Sequence, residues 1–162
     1  MGTEGSTVLS PVWRGLPGND ASAVSDSASC ALPPRFEAVR TARVFTRTTL
    51  QGWGVQHLFD DVSLVVSELV TNSLRYALPS GPPGKGQESP IRLHLMRWGS
   101  RLVCAVRDPS ADSPAGGAAG AEDERGRGLM LVESFSDAWG WHPLAGALHG
   151  KVVWALFRLP RE

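Results

Sequence analysis

Apolar residues recur with a helical period between positions 60 and 77: Val62, Val65, Val66, Leu69, Val70, Leu74 and Ala77 fall along one stripe. Asp60 and Asp61 occupy the first turn of that helix, where unpaired N–H groups favour carboxylates. Leu78-Pro79 and a Gly/Pro-rich run to Pro90 end it. An earlier helix is predicted from Phe36, Val39, Ala42/Arg43 and Leu50, opened by Pro33-Pro34 and closed by Gly52-Trp53-Gly54. After position 90 the period changes to two. Residues 91–98 and 101–107 alternate around Gly99-Ser100, which predicts a β-hairpin whose second strand carries Leu102, Cys104, Val106 and Asp108 on one face. A loop over 109–128 follows, and Gly126-Arg127-Gly128 leads into a short helix through Leu129-Met130-Leu131-Val132 and Phe135. Residues 137–142 and 151–159 predict a terminal hairpin, with Val153, Ala155, Phe157 and Leu159 alternating in its second strand.

Helices and hairpins interleaved in this order predict an α/β fold, a two-layer sandwich with a mixed, mostly antiparallel sheet and helices on one face. Composition changes the picture at the start of the chain. Of the 18 glycines and 12 prolines, eight lie in residues 1–34, seven in 79–90 and seven in 109–128. Residues 1–34 also hold a Ser/Ala run and a single basic residue, Arg14, so they are predicted to be a disordered leader, ahead of one domain over 35–162.

Sixteen basic residues balance sixteen acidic ones. A zero net charge argues against a nucleic-acid-binding protein, whose phosphate contacts need a basic excess. The apolar-leaning run at 64–70 is broken by Ser67 and Glu68, too short for a membrane span, and the N-terminus has no signal-peptide pattern, though Met1-Gly2 with Ser6 fits a loose myristoylation pattern. Cys30 and Cys104 have no metal-ligand spacing to a partner. The expected location is the reducing cytoplasm.

Three places carry candidate chemistry. Glu68 and Asn72 are four apart on the second helix, with Tyr76 one turn on. A carboxylate and an amide oxygen on one side of an apolar helix suit a magnesium ion and a general base, and the same spacing is met by a helix with a solvated outer side. Asp108 ends a strand, where it fits either an acceptor for an exocyclic amine or a turn-initiating Asp-Pro. Gly126-Arg127-Gly128 precedes a helix, which suits phosphate or a hinge. The Gly84-Lys85 loop fails as a P-loop: Pro79 and Gly86 stand where a glycine and a Ser/Thr belong. Arg40, Arg43 and Arg47 read as a solvated helix face, and Trp139, Trp141 and Trp154 as strand packing.

The order of these segments is more specific than any one of them. Glu68-Leu69-Val70-Thr71-Asn72-Ser73-Leu74-Arg75-Tyr76-Ala77 resembles the N box of the GHKL (Bergerat-fold) ATPase superfamily, in particular its anti-sigma-factor serine kinases. Val106-Arg107-Asp108-Pro109 resembles the adenine-binding segment, Gly126-Arg127-Gly128-Leu129 the glycine box, and Trp139-Gly140 with Gly150-Lys151-Val152-Val153-Trp154 the closing hairpin. The resemblance implies ATP and Mg²⁺ as cofactors. Asn72 would hold the metal, Glu68 would be the catalytic base and Asp108 would read the adenine amine. Gly126, Arg127, Gly128 and Leu129 would take the phosphates, under a lid at 109–128. It further implies a serine/threonine protein kinase acting on an anti-sigma antagonist and binding a sigma factor, as a homodimer, with a non-catalytic nucleotide-binding switch that sequesters a partner as the alternative. Ser110 and Asp112 stand where many relatives have glycine, and Tyr76 where many have histidine.

Overall fold

The computed structural model describes residues 24–76, 91–110, 114, 124–144 and 150–159. Its first helix, α1 (Glu37–Gly52), buries Ala38, Ala42, Thr46 and Leu50, a stripe with a spacing of four. Thr46 is tolerated there because its hydroxyl donates to the Ala42 carbonyl at 2.7 Å. Phe36, expected on this stripe, is 74% exposed. Its backbone is already helical, and the period sets it away from that stripe, on the outer face with Arg40 and Arg43. The helix closes where Gly52-Trp53-Gly54 predicts. The N–H groups of Gly54 and Val55 donate back to the Gln51 and Leu50 carbonyls, a Schellman arrangement that returns Val55 to the core beside Leu50.

A single 3-10 turn (Gln56–Leu58) leads into α2 (Phe59–Tyr76). Asp60 and Asp61 in its first turn and Arg75 in its last both complement the helix dipole. Val62, Val65, Val66, Leu69 and Val70 are buried as the periodicity requires, and Leu74 packs partly on the same core. Ala77, the Gly/Pro-rich run that ends this helix, and most of the 109–128 loop lie outside the described residues. The third helix, α3 (Glu124–Phe135), begins before the position its apolar residues mark, so Gly126, Arg127 and Gly128 lie inside its first turns rather than ahead of it.

Five strands, β1 (Val24–Leu32), β2 (Ile91–Trp98), β3 (Arg101–Asp108), β4 (Ala138–Pro143) and β5 (Lys151–Arg158), form one sheet in the order β1-β2-β3-β5-β4. Every pairing among them is antiparallel, so the expected mixed component of the sheet is absent from the described strands. Leu102, Cys104 and Val106 share the helix-facing side with Val153, Ala155 and Phe157 of β5, beneath α1, α2 and Val132 of α3. Trp139 packs against the same core, Trp154 is buried on the opposite side, and Trp141 is 37% exposed at the edge. On that opposite side, Gly140 leaves room for Trp154: a Cβ there would lie 2.6 Å from the indole.

β1 corrects the expectation of a disordered leader through residue 34. Its inward positions, Ala28, Cys30 and Leu32, alternate with exposed Ser27, Ser29 and Ala31. These side chains are too small to announce a strand. The backbone ladder to β2 holds them, and Arg92 adds a 3.2 Å bond to the Ser29 hydroxyl.

The face of the sheet turned away from the helices is also buried, through Met96, Val103, Ala105, Leu144, Val152, Trp154 and Leu156. His94 lies on this face at 2% exposure. Burial, with the Arg92 and Arg107 guanidinium groups adding to it, lowers its pKa from 6.5 to about 4. The unfolded chain therefore takes up a proton near pH 6.5 that the folded chain refuses until about pH 4, and stability falls with pH across that window. Between pH 7 and 4.5 the wild type should lose about 2 kcal/mol more than His94→Leu. Urea denaturation across that range checks this, and parallel curves would refute it.

Candidate functional site

The site grows from the C-terminal end of β3. Asp108 continues the inward face set by Leu102, Cys104 and Val106, and it is the one carboxylate among the described buried residues. Its charge is compensated rather than solvated. Ser73 of α2 donates its hydroxyl to Oδ2 at 2.8 Å, and Lys151 places Nζ 3.0 Å from Oδ1. The Ser110 N–H also donates to Oδ1, at 3.0 Å. The Lys151 and Asp108 side chains are 4% and 1% exposed, so this ion pair lies out of water. Asp108 is thus a turn-initiating Asp-Pro and a buried polar centre at once. Ser110, standing in place of a glycine, contributes through its backbone, and no non-glycine residue among those described has a positive φ.

Two residues with no role assigned from the sequence complete this centre. Lys151 starts an apolar strand, and the antiparallel register of β3 with β5 sets it opposite Asp108. Gly150, with φ +116°, passes so close that a Cβ would lie 2.0 Å from the Asp108 carbonyl oxygen. Ser73 lies beside Asn72 in the same motif. No local signal marks Lys151, because its partner is 43 residues away.

Glu68 and Asn72 lie on α2 together, both half-buried. Neither fully solvated nor in the core, they form a row with Leu64 along one side of the helix. Burial pushes the Glu68 carboxyl above its ordinary range, against the opposing charge of the exposed Arg75. The bond from Ser73, the residue after Asn72, fixes this helix against the end of β3. α2 also packs against α3, which carries Gly126, Arg127 and Gly128 in its backbone and a buried Leu129. All the expected site residues therefore belong to three adjoining elements; Asp112 lies outside the described residues.

Other chemistry finds less support. No three His, Cys, Asp or Glu side chains among the described residues gather as a metal cage. Cys104 is fully buried, which pushes its thiol up to about 12, and both cysteines are free. Among the described residues no helix is long and apolar enough to cross a membrane. Arg40, Arg43 and Arg47 are exposed on α1 as expected, and Arg47 stacks over the Phe59 ring at 4.6 Å.

Comparison with known proteins places this arrangement. Residues 32–155 match the family model of the histidine kinase-like ATPase domain. The fold is similar to the RsbU and RsbW domains of Rv1364c from Mycobacterium tuberculosis, with a TM-score of 0.58 and 18% identity over 83% of this chain and 32% of that one. The chain thus spans about a third of that structure's length. No curated protein sequence matches it. The two-layer sandwich, the helix bearing Glu68 and Asn72 beside the Asp108 strand end, and the match over most of the length agree: the chain belongs to the histidine kinase-like ATPase domain family.

Proposed function

We propose that this protein binds ATP with Mg²⁺ between α2, the end of β3 and α3, and phosphorylates a serine or threonine of an anti-sigma antagonist protein in the cytoplasm, as a kinase that also binds a sigma factor. The observation that carries this reading is the Ser73–Asp108 bond, which joins the helix bearing Glu68 and Asn72 to the buried carboxylate at the strand end. Bound ATP supplies the transferable phosphoryl group. Asp108 keeps acceptor capacity for the adenine amine. Asn72 offers an amide oxygen of the kind magnesium prefers, and the lack of an all-protein cage among the described residues suits an ion whose other ligands are phosphate and water. Gly126 falls in the first turn of α3, where backbone N–H groups are free to meet the phosphates, and Arg127, Gly128 and Leu129 follow directly behind it.

Glu68 is the base in this scheme. Half-buried and with its pKa raised, it takes the proton from the partner's hydroxyl as that oxygen bonds to phosphorus and the bond to the ADP oxygen breaks. A protein partner is supported by the outer face of α1, where exposed Phe36 and Val44 stand with Arg40, Arg43 and Arg47 around one groove. That surface suits an apolar segment carrying carboxylates.

Calorimetric titration with Mg-ATP and a phosphate-transfer assay on candidate antagonists test the proposal together. Glu68→Gln should retain ATP binding and lose transfer by about a hundredfold or more. No binding of Mg-ATP by the wild type would end the reading. Tight binding with no transfer to any antagonist would replace the kinase by a nucleotide-binding switch.

A further inference from the structure

The sheet face turned away from the helices is shut off from water, yet none of the described helices lies on it. Across the three central strands, Met96, Val103 and Leu156 stand in one row and His94, Ala105 and Trp154 in the next. None of the six is more than 7% exposed. The helix-side core takes residues from α1, α2 and α3, whereas the outer cluster takes none, and Leu144 is its one member from outside the strands. The flanks of the same face are open, with Ser27 and Ser29 on β1 and Ala138 on β4 exposed. A band the width of β2, β3 and β5, about 10 Å, is therefore covered within a single chain.

We infer that residues 1–23 are this cover, seating Val8, Leu9, Val12, Trp13 and Leu16 on the apolar floor as a third layer. Attachment and composition select them over the other segments outside the described residues. The loops after Tyr76, Ser110 and Leu144 join the sheet at the end marked by Ile91, Asp108, Pro143 and Lys151. The Met96–Val103–Leu156 row lies toward the opposite end, where Val24 pairs with Trp98 and the leader enters. Those loops carry Leu78 and Leu148 as their only large apolar side chains, and Pro160-Arg161-Glu162 carries none, against five in the leader. Reach is ample. Trp13 precedes Val24 by eleven residues, about 36 Å of extended chain, while β5 lies three strands from β1, about 14 Å away. A Ser/Gly/Pro-rich segment cannot fold alone, which is why its composition predicts disorder, but apolar side chains set on a preformed floor offset its ordering entropy.

The test uses the full chain. A benzophenone amino acid replaces Leu9 or, separately, Trp13, and after irradiation the adducts are mapped by peptide mass spectrometry in a mixture of ¹⁵N-labelled and unlabelled protein. Adducts within one chain to peptides holding Met96, Val103 or Leu156 are expected. Adducts confined to α1, where the groove beside Phe36 is the rival seat, overturn the inference. So do adducts joining labelled to unlabelled chains, which would make a second copy the cover, and so does the absence of adducts at both positions. A second measurement reads the uncovering itself. Leu9→Ser/Trp13→Ser should raise the fluorescence of anilinonaphthalene sulfonate, a dye that binds open apolar surface, by about fivefold or more with far-ultraviolet circular dichroism retained. An unchanged dye signal overturns the inference, and if that variant does not fold the cross-links decide. Nothing here depends on bound nucleotide, so the ATP reading stands under every one of these results.

Discussion

Replacing Asp108 with alanine is expected to destabilise the protein by about 3–5 kcal/mol and to abolish nucleotide binding, and the two losses have separate causes. The first is electrostatic. Asp108→Ala leaves the Lys151 ammonium almost wholly out of water with no counter-charge, and it also strips the acceptor from the Ser73 hydroxyl. The second is the loss of the group proposed to receive the adenine amine. A second variant separates them. Asp108→Leu/Lys151→Met replaces the ion pair by apolar side chains, which in buried settings is often neutral or stabilising, so most of the stability should return. Nucleotide binding should not. Denaturant midpoints and Mg-ATP titration on the two variants measure both quantities, and an Asp108→Ala protein as stable as wild type would show that the ion pair contributes nothing to the fold.

The helices and the two hairpins are legible in the sequence because each carries its own period. The α2 stripe from Val62 to Val70 and the β3 alternation through Leu102, Cys104 and Val106 are local patterns that burial merely confirms. β1 is not legible. Its Ser/Ala/Cys side chains bury little, and what makes it a strand is the edge that β2 offers, a property of a segment some 60 residues later. The site divides in the same way. Glu68, Asn72 and Ser73 sit in one motif on one helix, whereas Lys151 meets Asp108 only through strand register. Sequence order shows that both residues exist without showing that they touch. The start of α3 is a third case. Two glycines disfavour a helix, so the apolar run alone marks its beginning too late, whereas the helix starts at Glu124.

The tightest constraint on the proposed site is a glycine. Gly150→Ala should cost about 3–5 kcal/mol, a large penalty for one added methyl group, and should weaken nucleotide binding as well. The three atoms that the new Cβ meets are all backbone: the Asp108 carbonyl oxygen at 2.0 Å, its carbon at 3.1 Å and the Pro109 Cα at 3.2 Å. No side chain can swing aside, so the end of β3 must move away from the start of β5. That movement pulls on the Asp108–Lys151 pair, and φ +116° adds strain that a side chain at this position cannot relieve. Gly140→Ala is the internal control. Its Cβ also falls inside contact distance, at 2.6 Å, but the atoms met belong to the Trp154 ring on the face away from the site, and φ is not positive there. A ring can tilt where a backbone carbonyl cannot, so Gly140→Ala should cost the smaller part, about 1–2 kcal/mol, and leave nucleotide affinity unchanged. Urea midpoints order the two variants. If Gly150→Ala were the milder of the pair, the close passage of β5 against Asp108 would not be what holds the Asp108–Lys151 pair in place.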